Sequence, residues 1–160
     1  MKTILAGLTI LAADVLTKYS VDRSLVLGES VPVMENIFHI TYARNEGAAF
    51  SILQGQTLFL IGFSLLALGL LVGFAWRFRM DRLAYLGAVV AISGALGNLY
   101  DRLTYGYVRD FLDFRVWPIF NVADMAIVAG MVLLAVRVIW LEREDENGSN
   151  RNGGTHGVDR

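Results

Sequence analysis

Long apolar runs separated by short polar segments dominate this chain. Four of the runs approach the roughly 20 residues that a helix needs to cross a bilayer: about 3–19, 57–76, 83–100 and 116–136. This pattern predicts an all-α membrane protein with four transmembrane helices, in which residues 1–141 form the membrane domain. The charged, Gly- and Asn-rich residues 142–160 cannot bury a core and are predicted to be a disordered cytoplasmic tail.

The segment between the first and second runs, residues 20–56, is too apolar for a plain linker. Residues 31–33 and 37–42 are β-branched or aromatic and are bounded by Gly28, Pro32 and the Asn45-Glu46-Gly47 turn. Such stretches favour short strands or a hairpin. The sequence therefore predicts a small extracytoplasmic β-element between helices 1 and 2.

Lysine and arginine placement predicts the orientation, because cytoplasmic flanks of membrane helices are rich in both. The cationic flanks are Lys2, Arg77, Arg79, Arg82, Arg137 and Arg143. Both termini are therefore predicted to be cytoplasmic, with residues 20–56 and 101–115 outside, although the second of these also holds three arginines. A cleaved signal peptide is the alternative for the first run, but a charged pair, Asp14 and Lys18, would be out of place beside a cleavage site.

Composition narrows the chemistry. The 160 residues are 55% hydrophobic and 18% charged, with a net charge of −1, and the mean hydropathy is +0.50. A nucleic-acid binder would carry a strongly basic footprint. Cysteine is absent and only His39 and His156 are histidines, so thiol chemistry is excluded and a histidine zinc site is disfavoured. Carboxylates remain as the candidate catalytic groups.

Asp124 lies inside the fourth apolar run, where a charge costs roughly 2.5–3.5 kcal/mol and indicates a functional site. Asp110 precedes it by fourteen positions, about 21 Å along a continuous helix, but Pro118 disfavours such a helix. We expect Asp124 about two turns inside the fourth helix and Asp110 at the outer surface. If they meet, one carboxylate holds a proton while the other acts as a base. Alternatively, Asp110 caps a helix and Asp124 pairs with an arginine; the spacing leaves both open.

Other polar residues have simpler interpretations. Asp101 precedes Arg102, which favours a local ion pair or cap, and Asp113 is expected to be a solvated loop residue. Asp14 and Lys18 face each other at i, i+4, as a structural tie or as support for the site. The two asparagines beside the aspartates, Asn98 and Asn121, could bind a carboxylate or a substrate carbonyl, or act as interhelical glue.

Five motifs together resemble the lipoprotein signal peptidases (signal peptidase II), the membrane aspartyl proteases of bacteria, over about residues 11–141. They are Asp14-Val15-Leu16-Thr17-Lys18, Asn45-Glu46-Gly47-Ala48-Ala49-Phe50-Ser51, Gly97 to Arg102, Gly106 to Phe111, and Phe120 to Asp124. Each motif is weak alone, but their order on the expected helices is specific. Arg109 is a mild departure, since many members are apolar at that position.

The resemblance implies that Asp110 and Asp124 are the catalytic dyad of an aspartic endopeptidase. It implies that Asn98, Arg102 and Asn121 line the site, supported by Asp14, Lys18, Asn45 and Gly47. The implied substrate is a prolipoprotein whose cysteine carries diacylglycerol, cut just before that cysteine. The implied location is the bacterial inner membrane, with the active site near the outer face. The expected partners are this substrate and membrane lipids, without nucleic acid. No metal or organic cofactor is implied, and we expect a monomer.

Two functions of other classes remain as alternatives. A proton-coupled transporter would use Asp14, Lys18 and Asp124 as a relay, and proton-linked flux without proteolysis would favour it, although the internal repeat typical of transporters is not visible. A metal-dependent membrane enzyme would need the carboxylates to hold a divalent ion, and full activity in chelator would exclude it.

Overall fold

Four helices and a three-stranded sheet make up the described part of the computed structural model, residues 1–47, 55–77 and 81–153. The elements, in chain order, are α1 (Lys2–Ser24), β1 (Ser30–Met34), β2 (Phe38–Asn45), α2 (Thr57–Arg77), α3 (Arg82–Tyr105), β3 (Val108–Asp113) and α4 (Val122–Gly153). By length and composition, α1, α2 and α3 could each cross a membrane. That α4 is a fourth transmembrane helix stays a prediction.

The sheet is antiparallel in the order β1-β2-β3. The predicted β-element between the first two helices is confirmed by β1 and β2. It is incomplete, however, because β3 comes from the connection between α3 and α4. This strand reads Val-Arg-Asp-Phe-Leu-Asp, and its three charges suggested an exposed loop. The charges are compatible with a buried strand because each is paired or hydrogen-bonded.

Helix α3 is the centre of the helical bundle, with buried residues every three or four positions. Small residues on this face let the backbones approach closely, as is usual between membrane helices. A Cβ atom on Gly94 would collide with the carbonyl oxygen of Ala123 in α4, and one on Gly87 would lie 2.8 Å from the carbonyl oxygen of Gly130. Helix α2, in contrast, buries only Leu60 and Leu68, which leaves most of its apolar surface for lipid.

The helices alternate in direction, so that the sheet lies at one end of the bundle. At this end Thr57 Oγ1, at the start of α2, donates to the carbonyl oxygen of Gly106 at the end of α3 (3.0 Å). Gly106 ends α3 in the left-handed conformation, with φ of 83°. At the opposite end Asp81 caps α3 through the N–H of Ala84 (2.9 Å), and Arg137 of α4 bonds to Asp81.

Helix α4 extends further than the sequence suggested. Residues 142–160 were predicted to be disordered, but α4 continues to Gly153, and residues 154–160 lie outside the described part of the chain. Extending a formed helix adds one hydrogen bond per residue without a new nucleation cost. Residues 141–146 are Leu, Glu, Arg, Glu, Asp and Glu, mostly good helix formers. A polar composition alone therefore did not determine where this helix ends.

Candidate active site

Two aspartates reach the same cavity from different elements. Asp110 lies in the middle of β3 and is 3% exposed, whereas Asp124 lies in the first turn of α4. Both line a cavity of about 500 Å³ at the sheet end of the bundle. The fold thus overcomes their separation along the chain and brings the two carboxylates to one site.

Asp124 lies nearer the start of its helix than expected. It was predicted about two turns inside the fourth helix, but α4 begins at Val122, so Asp124 is its third residue. The preceding segment is not helical because Pro118 restricts it, and it pairs with β3 instead. The N–H of Leu112 donates to the carbonyl oxygen of Phe120 (2.8 Å), and the N–H of Phe120 donates to the carbonyl oxygen of Leu112 (3.1 Å). This pairing holds the start of α4 beside Asp110.

Asn121 joins the two aspartates while it caps α4. Its Oδ1 accepts from the N–H of Asp124 (2.9 Å), and Asp124 Oδ2 accepts from the N–H of Asn121 (3.2 Å). This reciprocal arrangement is a capping box. Because the amide oxygen serves the cap, Nδ2 is left to donate, and it reaches Asp110 Oδ1 at 2.6 Å. The start of the helix therefore determines the orientation of a donor to Asp110.

Asn98 of α3 holds Asp124 from the other side. Its Nδ2 donates to Asp124 Oδ1 (2.7 Å), and its Oδ1 accepts from Lys18 Nζ (2.9 Å) and Asn121 Nδ2 (3.1 Å). Two donors on its oxygen leave the nitrogen directed at Asp124. Both asparagines thus bind carboxylates and also join helices, and the two interpretations of them are compatible.

Asp14 and Lys18 form a buried ion pair on α1, with 2.8 Å between Asp14 Oδ2 and Lys18 Nζ and no exposed side-chain surface. Asp14 Oδ1 also accepts from the N–H of Ala123 in the first turn of α4 (2.8 Å). Asp14 thereby satisfies a helix N–H that has no partner within the helix. The pair connects α1 to α3 through Asn98 and to α4 through Ala123.

The end of β2 and the turn after it contribute Asn45 and Gly47. Asn45 Nδ2 donates to Asp110 Oδ2 (3.0 Å), and its Oδ1 accepts from the N–H of Gly47 (3.0 Å). Arg102 of α3 donates through Nη2 to the carbonyl oxygen of Gly47 (3.2 Å). Within the described residues, the buried Nε of Arg102 has no hydrogen-bond partner. Arg102 and Asn45 both line the cavity, so the guanidinium of Arg102 brings a positive charge to the site of the two carboxylates.

The surroundings of Asp110 favour its protonated form. Burial, and then the negative charge of Asp124, raise the pKa of Asp110 to about 7, although the hydrogen bonds from Asn45 and Asn121 oppose the rise. An aspartate normally titrates near 3.8. Near neutral pH, Asp110 can therefore hold a proton, which acid–base catalysis by two carboxylates needs on one of them.

Two neighbouring aspartates differ from their interpretations. Asp101 was expected to pair locally with Arg102, but it is fully buried and binds Arg109 (2.7 Å). Asp113 was expected to be solvated, yet it is 5% exposed and accepts from Thr41 Oγ1 at 2.8 Å. Both errors have one cause, because strand β3 was not recognised. Strand β3 mixes apolar residues, such as Val108 and Leu112, with charged ones, such as Asp110. A strand that is buried on both faces usually reads as a continuous apolar run, so this mixture did not distinguish a buried strand from a polar loop.

Arg109 is a buried residue for which sequence analysis found no role. It is 2% exposed, and its side chain and its main-chain N–H both bind Asp101. Eight positions separate the partners, across the turn at Gly106. In the sequence, Arg109 is recognisable only as an arginine among apolar residues, and this pattern does not show that its partner is Asp101.

Comparison with known proteins agrees with the motifs. The family model described as signal peptidase (SPase) II matches residues 6–140. A lipoprotein signal peptidase of Moorella thermoacetica is 43% identical over 141 residues, 87% of this chain and 93% of the relative. One from Geobacter sulfurreducens is 45% identical over 141 residues, 83% of this chain and 88% of the relative.

Solved structures agree as well. Two bacterial membrane enzymes solved by the in meso method are similar, with TM-scores of 0.79 and 0.76. The first is 28% identical and the match covers 99% of this chain and 94% of that one. The second is 30% identical, with 86% and 92% covered. Sequence, motifs and fold point the same way, and the chain belongs to the signal peptidase II family of peptidases.

Proposed function

We propose that this protein is an aspartic endopeptidase that removes the signal peptide from diacylglyceryl-modified prolipoproteins, cutting just before the lipidated cysteine. The observation that carries the proposal is the meeting of Asp110 and Asp124 in one cavity, with Asn98 and Asn121 donating to them. The matching relatives are lipoprotein signal peptidases, which supports the substrate class.

In this mechanism Asp110 starts protonated and Asp124 ionised. Asp124 removes a proton from a water whose oxygen attacks the scissile carbonyl carbon, while Asp110 gives its proton to the carbonyl oxygen. The tetrahedral diol then collapses: the C–N bond breaks, Asp124 protonates the leaving nitrogen, and Asp110 takes a proton from a hydroxyl. Both carboxyl groups return to their starting states. No metal or organic cofactor is required.

The proton assignment is supported by burial and by the position of Asp124 on its helix. Both carboxyl groups accept one hydrogen bond on each oxygen, but Asp110 is 3% exposed whereas Asp124 is only half-buried. Asp124 also lies in the first turn of α4, where the positive end of the helix dipole stabilises a negative charge. In this proposal the negative charge is therefore placed on Asp124 and the proton on the buried Asp110.

The site's location suits a lipidated substrate. Part of the cavity lining is apolar and includes Trp117, Ile127 and Val128. We propose that α4 crosses the membrane as a fourth helix, with both termini cytoplasmic and the sheet outside the bacterial inner membrane. The alternating helix directions and the cationic flanks support this arrangement. The scissile bond, held at the membrane surface by the lipid on the cysteine, would then lie at the dyad.

The test compares purified wild type with Asp110→Asn and Asp124→Asn on one lipidated precursor in detergent or liposomes. Each variant should lose at least about 100-fold in turnover, since each removes a general acid or base. Asp81→Asn is the matched control: it lies at the opposite end of the bundle, and asparagine also caps helices. Unchanged turnover in Asp124→Asn would contradict a catalytic role for the two aspartates. Equal cleavage of the lipidated and unlipidated precursors would contradict the proposed substrate class.

A further inference from the structure

Arg109, one position before Asp110, is an almost fully buried cation that does not line the cavity. Successive side chains of a strand point to opposite faces, so Asp110 reaches the cavity while Arg109 points away from it. The Arg109 Cζ atom lies 4.4 Å from the centre of the Tyr105 ring. Arg109 therefore cannot touch a substrate in the cavity, and any effect it has on the site must pass through its neighbours.

The contacts of Arg109 fix the main chain beside Asp110. Arg109 Nε and Nη2 donate to the two oxygens of Asp101 at 3.2 and 2.7 Å. The main-chain N–H of Arg109 donates to the same carboxylate at 3.0 Å. Its carbonyl group, part of the peptide bond that leads into Asp110, accepts from Asn121 Nδ2 at 3.4 Å. Three bonds to one carboxylate on α3 thus hold the strand at the position where it enters the site.

Arg109 also completes a buried set of four charges. Asp101 Oδ2 lies 3.5 Å from Lys18 Nζ, and Lys18 pairs with Asp14. The set contains two anions and two cations, so its formal charge is zero. Within it Lys18 is shared, because the same nitrogen donates to Asn98 Oδ1, and Asn98 in turn donates to Asp124. A cation that satisfies Asp101 leaves Lys18 available to Asn98.

We propose that Arg109 is a positioning residue for the dyad: it clamps strand β3 to α3 beside Asp110, and it neutralises Asp101 so that Lys18 continues to orient Asn98 toward Asp124. This inference rests on the proposed function, in which both aspartates are catalytic. Without the Arg109 side chain, Asp101 competes for Lys18, and the path from Lys18 through Asn98 to Asp124 weakens.

The charged surroundings determine the direction of the pH effect. Lys18 and Asp14 of α1 and Tyr105 of α3 surround the Asp101–Arg109 pair. Around Asp110, the charge of Asp124 raises the pKa of the carboxyl group and that of Lys18 lowers it, and Arg102 shares the cavity. Removing one cation and drawing Lys18 toward Asp101 both act to raise the pKa of Asp110.

The experiment compares wild type, Arg109→Met and Arg109→Lys, with kcat, KM and the pH dependence of kcat measured on a lipidated precursor. For Arg109→Met we expect kcat to fall about 10- to 100-fold, as displaced catalytic groups do, with KM little changed. The alkaline limb of its profile should move to higher pH. Arg109→Lys retains the positive charge but cannot donate to both oxygens of Asp101 in the same way. The alkaline limb of its pH profile should therefore stay at the wild-type position, and its kcat should be intermediate.

A double variant separates the effect of the Arg109 charge from the effect of its hydrogen bonds to Asp101. Arg109→Met with Asp101→Asn leaves no uncompensated charge, so its alkaline limb should return to the wild-type position while kcat stays low. Arg115→Met is the matched control, because Arg115 pairs with Asp113 at the far end of β3 (3.1 Å) and should leave kcat and the limb unchanged.

The inference is overturned if Arg109→Met keeps the wild-type kcat and the wild-type alkaline limb of the pH profile. It is also overturned if the loss of activity only follows a smaller folded fraction in thermal unfolding. The titration of Asp110, followed through its carboxyl ¹³C shift, repeats the comparison without turnover. An unmoved Asp110 titration in Arg109→Met contradicts the inference whether or not the precursor is cut. Failure of the wild type to cut the precursor, in contrast, contradicts the proposed function.

Discussion

At the residue scale, Asn121 shows how one side chain serves stability and chemistry together. Its oxygen caps α4 and its nitrogen donates to Asp110. An amide is the only uncharged side chain that offers an acceptor and two donors in one plane. Serine or aspartate could replace the cap, but neither supplies the same donor to Asp110.

This separation of roles is testable with Asn121→Ser and Asn121→Ala. Serine keeps an N-cap acceptor and alanine does not, so Asn121→Ala should be less stable by about 1 kcal/mol. Both variants lose the amide donor to Asp110, so both should lose activity to a similar degree. Thermal unfolding and turnover of the lipidated precursor measure the two quantities. Activity that follows stability, with Asn121→Ser close to wild type, would contradict the catalytic part of the role.

The raised pKa of Asp110 predicts a pH dependence. Because burial and Asp124 hold that pKa at about 7, the proton needed for the first step remains bound below pH 7 and is lost above it. The rate should therefore decline as pH rises through about 7. The folded state binds this proton more tightly than the unfolded chain, so stability should also decrease between the two pKa values as pH rises. A pH–rate profile that stays level up to pH 9 would show that Asp110 is not the acid.

At the element scale, the close contact of α3 with α4 aligns Asn98 with Asp124. Gly94 makes that contact possible, and Gly94→Ala would drive a methyl group against the carbonyl oxygen of Ala123 and Ile127. Overpacking of this kind costs about 1–3 kcal/mol, and the shift of α4 should also lower turnover. Gly69→Ala on α2 is the control, since its added Cβ meets no described atom within 4 Å. If both variants unfold at the same temperature, the contact of Gly94 with α4 does not contribute to stability as predicted.

The elements also show what the sequence could predict. Apolar length located α1, α2 and α3, and β-branched runs located β1 and β2. Strand β3 was missed because its charges are satisfied by distant residues, Asp101 for Arg109 and Thr41 for Asp113. Local pattern carries no information on such partners. The start of α4 was misjudged for a related reason: Phe120 pairs with β3, and that pairing decides where the helix begins.

For the site, the sequence indicated which polar residues needed an explanation but not their geometry. The cost of Asp124 in an apolar run and the five motifs were sufficient to nominate both aspartates. The link from Lys18 through Asn98 to Asp124, in contrast, depends on α1, α3 and α4 meeting. No spacing along the chain specifies that meeting.

At the scale of the whole molecule, the proposed topology can be tested with cysteine labelling. The chain has no cysteine, so single substitutions label cleanly. Glu35→Cys, at the exposed hairpin tip between β1 and β2, should react with a membrane-impermeant maleimide in intact spheroplasts. Lys2→Cys and a cysteine added after Arg160 should react only after the membrane is opened. Labelling of either terminus in intact spheroplasts would contradict the arrangement with both ends inside.

The placement of Asp124 on the last helix also bears on how the protein is made. Until α4 leaves the ribosome and enters the bilayer, Asp14 lacks the N–H of Ala123, and Asn98 has no carboxylate to hold. A nascent chain therefore carries unsatisfied polar groups among its first three helices, which is a costly state in lipid. It also carries only one of the two aspartates. Under the proposed topology and mechanism, the two aspartates come together only once α4 has entered the bilayer, so a chain interrupted before α4 should be inactive.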